Sequence, residues 1–311
     1  MLMKRSLLAS LFALLLAAAA TAAVSGTASG RPAISPAASV RAPAYPAAIT
    51  KLLVIVEENE NANAITPGSA PYISGLSATY AYASNYRSVG FPSLPNYLAI
   101  TGGSTFGITT DGPPSQFAVN APSVFGQALK AGRTARVYSE SATSPCDTQG
   151  TALYAVRHNP WLYFRPEAAD CRQYDLGFPG VTSGALATDA KNGTLPNVGL
   201  VDPNLTDDGH TPGGQAGLAN ADKWLRKAIP MIQSGPDWKA GHLAIVITWD
   251  SGAALSTPTV DFIVVAPTVS HLTVTTALNH YSLSRLMSDF GGSTPLSQAK
   301  SAPDMRKEFH L

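Results

Sequence analysis

Charge is scarce in this chain. Only 13% of its 311 residues are charged, and the formal net charge is +1. Such a balance exerts no pull on nucleic acid or on anionic lipid, so no nucleic-acid partner is expected. Cysteine is almost absent: Cys146 and Cys171 are the two thiols. With His158 as the nearest imidazole, they cannot complete a structural zinc site. The chain has no Gly-x-Ser-x-Gly elbow, which disfavours an α/β-hydrolase, and no P-loop. No Gly-x-Gly-x-x-Gly follows the first apolar strand, so a nucleotide cofactor lacks support. After the N-terminal region no second apolar span appears, and no stable membrane anchor is expected.

What is present begins with an export signature. Lys4 and Arg5 precede an apolar run over 7–20, and Ala20-Thr21-Ala22 has the small-x-small form of a cleavage site. Residues 1–23 therefore read as a signal peptide and the protein as secreted. No cysteine follows the run, so a lipoprotein anchor is not expected. In an exported chain Cys146 and Cys171 are expected to form one disulfide across an irregular loop. Residues 24–49 are rich in Ala, Ser, Pro and Gly and read as a disordered linker. Residues 50–311 remain for a single domain.

That domain alternates strand and helix patterns. The run over 51–56 is continuously apolar and β-branched, as in a strand buried on both faces. Helices are expected over 70–81, 95–101, 123–130 with a serine cap, 181–192, 216–232 and 280–290. Further strands are expected over 85–89, 134–139, 197–201, 243–248 and 262–266. Residues 145–179 show aromatics and turns without a period and read as a long excursion over the sheet. The pattern implies an α/β fold with a mainly parallel sheet covered on both faces.

Polar residues collect where these strands end. Glu58 and Asn59 follow the first, Asp208 and His210 the one over 197–201, and Asp250 the one over 243–248. In a parallel sheet these ends share one edge, where α/β proteins build their sites. Ser93 sits between Pro92 and Pro95, which restrict the backbone and place it at a helix N-terminus. Such a terminus offers N–H groups to an anion. Glu, Asn, Asp and Ser make an all-oxygen donor set, suited to one divalent ion of the Ca, Mg or Mn class. A serine activated by that ion, with a histidine nearby, makes a workable phosphoryl-transfer site.

Several blocks in one order carry a resemblance. They are Val54-Ile55-Val56-Glu57-Glu58-Asn59, Pro92-Ser93-Leu94-Pro95-Asn96-Tyr97, Arg157-His158-Asn159-Pro160, Pro203-Asn204-Leu205 with Asp208-x-His210, Ile247-Thr248-Trp249-Asp250 and Asn279-His280-Tyr281-Ser282. From about residue 52 to 290 the chain resembles secreted phosphoesterases of the acid phosphatase and non-specific phospholipase C family, within the alkaline-phosphatase-like superfamily. The resemblance implies a three-layer α/β/α sandwich and hydrolysis of small phosphate monoesters through a phosphoseryl intermediate on Ser93. It implies metal ligation by Glu58, Asn59, Ser93 and Asp250, catalytic support from His210 and Asp208, and substrate contacts from Asn96, His158 and His280. A monomer is expected. The chain also departs from the family pattern: Phe91 and Thr259 stand where histidines are usual, and Thr211 and Ser251 where acids are usual. Two alternatives accompany the monoesterase: a phospholipase C-like phosphodiesterase, and a degenerate member that binds a phosphorylated ligand or a partner without turnover.

Overall fold

The computed structural model describes residues 48–254 and 256–311. The expected signal peptide over 1–23 and nearly all of the linker over 24–49 lie outside the described residues. In chain order the elements are β1 (Lys51–Glu57), α1 (Pro71–Thr79), β2 (Ala81–Ala83), β3 (Tyr86–Arg87), α2 (Ser93–Gly102), α3 (Val124–Lys130) and β4 (Ala135–Glu140). There follow α4 (Ala168–Tyr174), β5 (Asp175–Phe178), α5 (Ala185–Asn192), β6 (Val198–Asp202), α6 (Gly214–Gln233) and α7 (Pro236–Lys239). The chain closes with β7 (Leu243–Trp249), β8 (Phe262–Val265), β9 (Leu272–Val274), β10 (Leu278–Asn279), α8 (His280–Phe290) and α9 (Met305–Glu308).

Eight strands form one sheet in the order β5-β4-β6-β1-β7-β8-β2-β9. All neighbours run parallel except at β8, which is antiparallel to both β7 and β2. The fold is thus mixed α/β with a large, mainly parallel sheet. From Leu52 to Glu57 every residue of β1 is buried, as are all residues of β6 and β7. This explains why these strands read as continuous apolar runs: helices cover both faces, so no position faces water. Helices α1, α5, α6 and α7 form one packed group, and α2, α3, α8 and α9 another.

Local chemistry places the helices. Ser123 caps α3 by accepting from the backbone N of Phe125 and Gly126, as its sequence position suggested. Asn279 and Ser282 form a reciprocal capping box that starts α8 at His280. Helix α2 stops at Gly103, whose φ of +66° is left-handed and where a Cβ would overlap the Leu296 carbonyl.

Five elements differ from expectation. The strand expected over 85–89 shrinks to the two residues of β3, which pair with β10 outside the main sheet. Strands β2 and β9 carry no recognisable period, being three residues each. Within 145–179, mostly irregular as expected, lie α4 and the edge strand β5. The β5 sequence contains Asp175 and Gly177, both poor strand formers, and it is held by pairing with β4 rather than by propensity.

Candidate active site

Strands β6, β1 and β7 are adjacent, and their registers bring their C-terminal ends level: Ile55 pairs with Val201, and Glu57 with Trp249. The loops leaving them are tied by backbone bonds, Glu58 N to Asp208 O at 2.9 Å and Asp250 N to Glu57 O at 3.0 Å. The expected gathering of Glu58, Asn59, Asp208, His210 and Asp250 on one edge therefore occurs. Asn59 holds a φ of +38°, a left-handed conformation that asparagine tolerates better than most residues. Its N–H donates to Asp250 Oδ1 (3.3 Å) and its Nδ2 to Ser251 Oγ (2.8 Å).

Helix α2 brings Ser93 to this edge as its first residue. Ser93 Oγ donates to Glu58 Oε2 at 3.1 Å and is 2% exposed as a residue. The helix terminus offers less to an anion than the sequence suggested. Leu94 N–H is taken by Asp111 Oδ1 (2.9 Å), and Pro95 has no N–H to give.

Two histidines meet Glu58 from the other side. His210 Nδ1 lies 3.1 Å from Glu58 Oε2 and 3.0 Å from Asn59 Oδ1. Both neighbours are acceptors, so Nδ1 carries the hydrogen and Nε2 is left to exchange protons. Asp208 Oδ1 accepts from His210 N at 2.7 Å and steadies that loop. His158 comes from the excursion, buried against the stacked ring of Tyr97. Its Nε2 is 3.0 Å from Glu58 Oε1 and its Nδ1 is 3.3 Å from Asp208 Oδ2. Neither contact is aligned as a hydrogen bond, so the attraction is mainly coulombic.

Burial works against ionisation throughout this edge, and the neighbours decide the outcome. Burial favours neutral Glu58, but the charge of His158, with the hydrogen bond and charge of His210, overrides it and holds Glu58 well below the usual carboxylate range. Burial likewise opposes a charged His158, yet Glu58, Asp208 and Asp202 raise it well above an ordinary histidine. Asp250 and Asp202 are pushed up, chiefly by burial. Glu57, beneath the site at the end of β1, is pushed up by burial and then by Asp208, and neither of its oxygens has a partner.

Unpartnered buried oxygens also test whether a cation fits. Glu58 Oε1, Asp250 Oδ2 and Asp208 Oδ2 are inaccessible and make no hydrogen bond; His158 faces two of them, and nothing faces Asp250 Oδ2. Oxygens so placed are costly unless a cation or proton satisfies them. Donor atoms of Glu58, His158 and His210 lie within 4.8 Å of one another, but with His158 charged and the His210 Nδ1 hydrogen turned toward Glu58, only the carboxylate of that trio has lone pairs to offer an ion. A divalent ion fits this edge through its oxygens, Glu58 among them.

Three sequence expectations meet a different geometry. Asn96 spends both ends of its amide on the 89–92 turn, accepting from Val89 N and Gly90 N and donating to Gly90 O and Pro92 O. It braces the turn before Ser93 instead of facing a substrate. His280 is engaged at both nitrogens, by Tyr86 Oη at 2.8 Å and Asp250 O at 2.5 Å. His158 is 1% exposed and touches carboxylates, not solvent. Sequence reasoning also passed over Glu57, Asp202, Asp111 and Arg157. Of these, Asp202 carried a signal, ending β6 as Asp250 follows β7. The disulfide between Cys146 and Cys171 forms as expected, and it ties α4 to the loop after β4. Among the described residues no helix is long and apolar enough to cross a membrane.

The profile of the phosphoesterase family matches residues 53–287, from β1 into α8. The chain belongs to the phosphoesterase family. It is 30% identical over 202 residues to a phosphatidylinositol-3-phosphatase of Mycobacterium tuberculosis, covering 64% of this chain and 62% of that protein. It is 24% identical over 192 residues to a phosphate-repressible acid phosphatase of Penicillium chrysogenum, covering 60% of this chain and 44% of that protein. The chain thus spans less than two thirds of each relative's length. Among solved structures, it is similar to an alkaline phosphatase superfamily protein from Vibrio parahaemolyticus, with a TM-score of 0.59, 12% identity and coverage of 84% of this chain and 70% of that one. It is equally similar, by TM-score, to a lipoteichoic acid synthase from Listeria monocytogenes, at 13% identity over 85% of this chain and 78% of that one. These two likenesses establish an alkaline-phosphatase-like fold. Family membership and the two phosphatase relatives support phosphoester hydrolysis.

Proposed function

We propose that this protein is a secreted, metal-dependent phosphomonoesterase whose nucleophile is Ser93. The observation that carries this reading is the placement of Ser93 Oγ at the start of α2, 3.1 Å from Glu58 Oε2, on an edge with unpartnered buried carboxylate oxygens. Glu58, Asn59, Ser93 and Asp250 would hold one divalent ion. When bound, that ion supplies Lewis-acid stabilisation of negative charge and a lowered serine pKa.

The chain's own residues supply the rest. Ser93 Oγ, its proton lost to solvent, attacks phosphorus as the bond to the ester oxygen breaks. His210, its Nδ1–H fixed by Glu58 and Asn59, donates a proton from Nε2 to the departing alkoxide. In the second half a water replaces the alcohol, His210 Nε2 takes its proton, and the phosphoseryl bond breaks to release phosphate and leave Ser93 Oγ as the alkoxide that begins the next turnover. Asp208 holds the His210 loop throughout. The disulfide accords with an oxidising compartment, as the export signature requires.

The test is turnover of p-nitrophenyl phosphate with and without added Ca²⁺, Mg²⁺ or Mn²⁺, beside Ser93→Ala. Loss of a nucleophile is expected to lower kcat by at least about a thousandfold. Hydrolysis by Ser93→Ala at the wild-type rate would remove Ser93 from the mechanism. Turnover of bis-p-nitrophenyl phosphate in preference to the monoester would move the assignment to a phosphodiesterase.

A further inference from the structure

A cavity of about 380 Å³ opens beside the reacting edge, lined by Asp111, Gly150, Thr151, Val156, Arg157 and Leu205 among others. Two contacts tie it to the site. Asp111 Oδ1 accepts from the N–H of Leu94, the residue after Ser93. Arg157 Nη2 lies 3.4 Å from His210 Nε2, the ring nitrogen turned away from Glu58 and Asn59. The guanidinium therefore stands one imidazole ring further out than the groups that face the nucleophile. A substrate group meeting Arg157 lies beside His210 Nε2, on the side of the ring where the departing alcohol would sit.

Arg157 is also under-used. It faces Asp111 Oδ2 across 3.4 Å without hydrogen-bond alignment, and its one aligned contact among the described residues is the long one from Nη2 to His210, which leaves Nη1 without a partner. A planar guanidinium held at a cavity wall with free donors suits a pair of phosphate oxygens. The other walls offer apolar carbon from Val156 and Leu205 and a hydroxyl from Thr151, which suits a sugar-sized alcohol.

Resting on the phosphomonoesterase reading, we propose that this cavity is the leaving-group subsite and that Arg157 selects alcohols carrying a second phosphate. Asp111 holds the guanidinium until that phosphate takes its place. The subsite discriminates by charge at a fixed distance from Ser93.

The proposal is tested by equilibrium titration of the full chain carrying Ser93→Ala, so that nothing turns over. The probes are inorganic phosphate, which fills only the reacting position, and glucose 1,6-bisphosphate, which fills both. Bisphosphate is expected to bind at least about tenfold more tightly than phosphate. Adding Arg157→Gln is expected to abolish that gain, and Arg157→Lys to return part of it. A Cβ at Gly150 would meet only ordinary contacts, 3.5 Å from Tyr154 O and 3.7 Å from Val156 Cγ2. Gly150→Leu therefore fills the cavity from its wall, and it is expected to weaken bisphosphate but not phosphate. Vesicles displaying a phosphorylated inositol headgroup carry the same pair of phosphates, and whichever probe shows the larger Arg157-dependent gain identifies the source. Equal binding of phosphate and both bisphosphate probes, or equal weakening of all by Arg157→Gln, would overturn the proposal. Failure of the parent protein to hydrolyse any ester would sink the phosphomonoesterase reading and leave these binding outcomes decisive for the subsite.

Discussion

His158 and His280 are both inaccessible to water, and both lie against the polar edge of the same sheet. They end in opposite states. His158 sits among Glu58, Asp208 and Asp202 and is held protonated. His280 sits between a backbone carbonyl and a tyrosine hydroxyl, and burial lowers its pKa to about 4. With Asp250 O as acceptor, His280 Nε2 carries the hydrogen, and Nδ1 accepts from Tyr86. Burial alone pushes both imidazoles toward neutrality; only the carboxylates beside His158 reverse it. One side of the site is thus a charged lattice with unpartnered oxygens, and the other a neutral, fully bonded clamp on the strand that delivers Asp250.

The strongest way to break this contrast is His158→Gln. It leaves Glu58 buried without its partner, and is expected to cost about 3–5 kcal/mol of stability, read as a large fall in Tm. Saturating divalent metal is expected to return much of that loss, since a cation on Glu58 stabilises the folded state by mass action. No metal rescue would show that Glu58 does not face a cation site. The neutral side is expected to respond less. His280→Phe orphans the Asp250 carbonyl and the Tyr86 hydroxyl for about 1–3 kcal/mol, with no metal rescue.

Acid distinguishes the two histidines by sign. The folded pKa of His280 is depressed, so below about pH 6.5 the unfolded chain binds a proton that the folded one refuses. Its contribution to stability is complete above that pH and falls as pH drops toward 4. For His158 the folded pKa is raised, so its contribution is complete below the unfolded value and fades as pH climbs toward the folded one. The Tm gap between wild type and His280→Phe should therefore shrink as pH falls from 6.5 toward 4, whereas the gap to His158→Gln should hold over that range and shrink as pH climbs above 6.5. Parallel profiles would contradict the assigned states.

The smallest effect is expected at Ser251, where Asn59 Nδ2 now donates to a hydroxyl. Ser251→Asp places an additional carboxylate beside the Asp250 edge, and is expected to tighten divalent binding by about tenfold in a metal titration. Weaker binding would mean that the added charge points away from the ion.

Much of the framework was legible because the local signals agreed with the global fold. Strands β1, β6 and β7 announce themselves through their apolar runs, and α3 through Ser123 at its start. Glu58, Asp208, His210 and Asp250 were found by one rule, that parallel strands end on a common edge. The residues that the rule missed obey no local pattern. Arg157 stood inside the Arg157-His158-Asn159-Pro160 block without a role, and Asp111 reads like a loop acid. The strand β5 carries Asp175 and Gly177, and only its pairing with β4 makes it a strand. The direction of β8 was equally hidden, since Phe262-Ile263-Val264-Val265 is apolar read either way.

Sequence by itself determined the chemistry available: an all-oxygen donor set, a serine fixed between prolines, and a chain too evenly charged to seek nucleic acid. Tertiary structure decided which of those groups act together. It turned Asn96 inward to brace a turn, made one buried histidine a cation and the other a neutral clamp, and set Arg157 beyond His210 at the wall of a cavity. The physical reason is that residue type fixes a group's intrinsic pKa and donor atoms. Its charge state and partners depend on burial and on neighbours far away in sequence, and only folding brings these together.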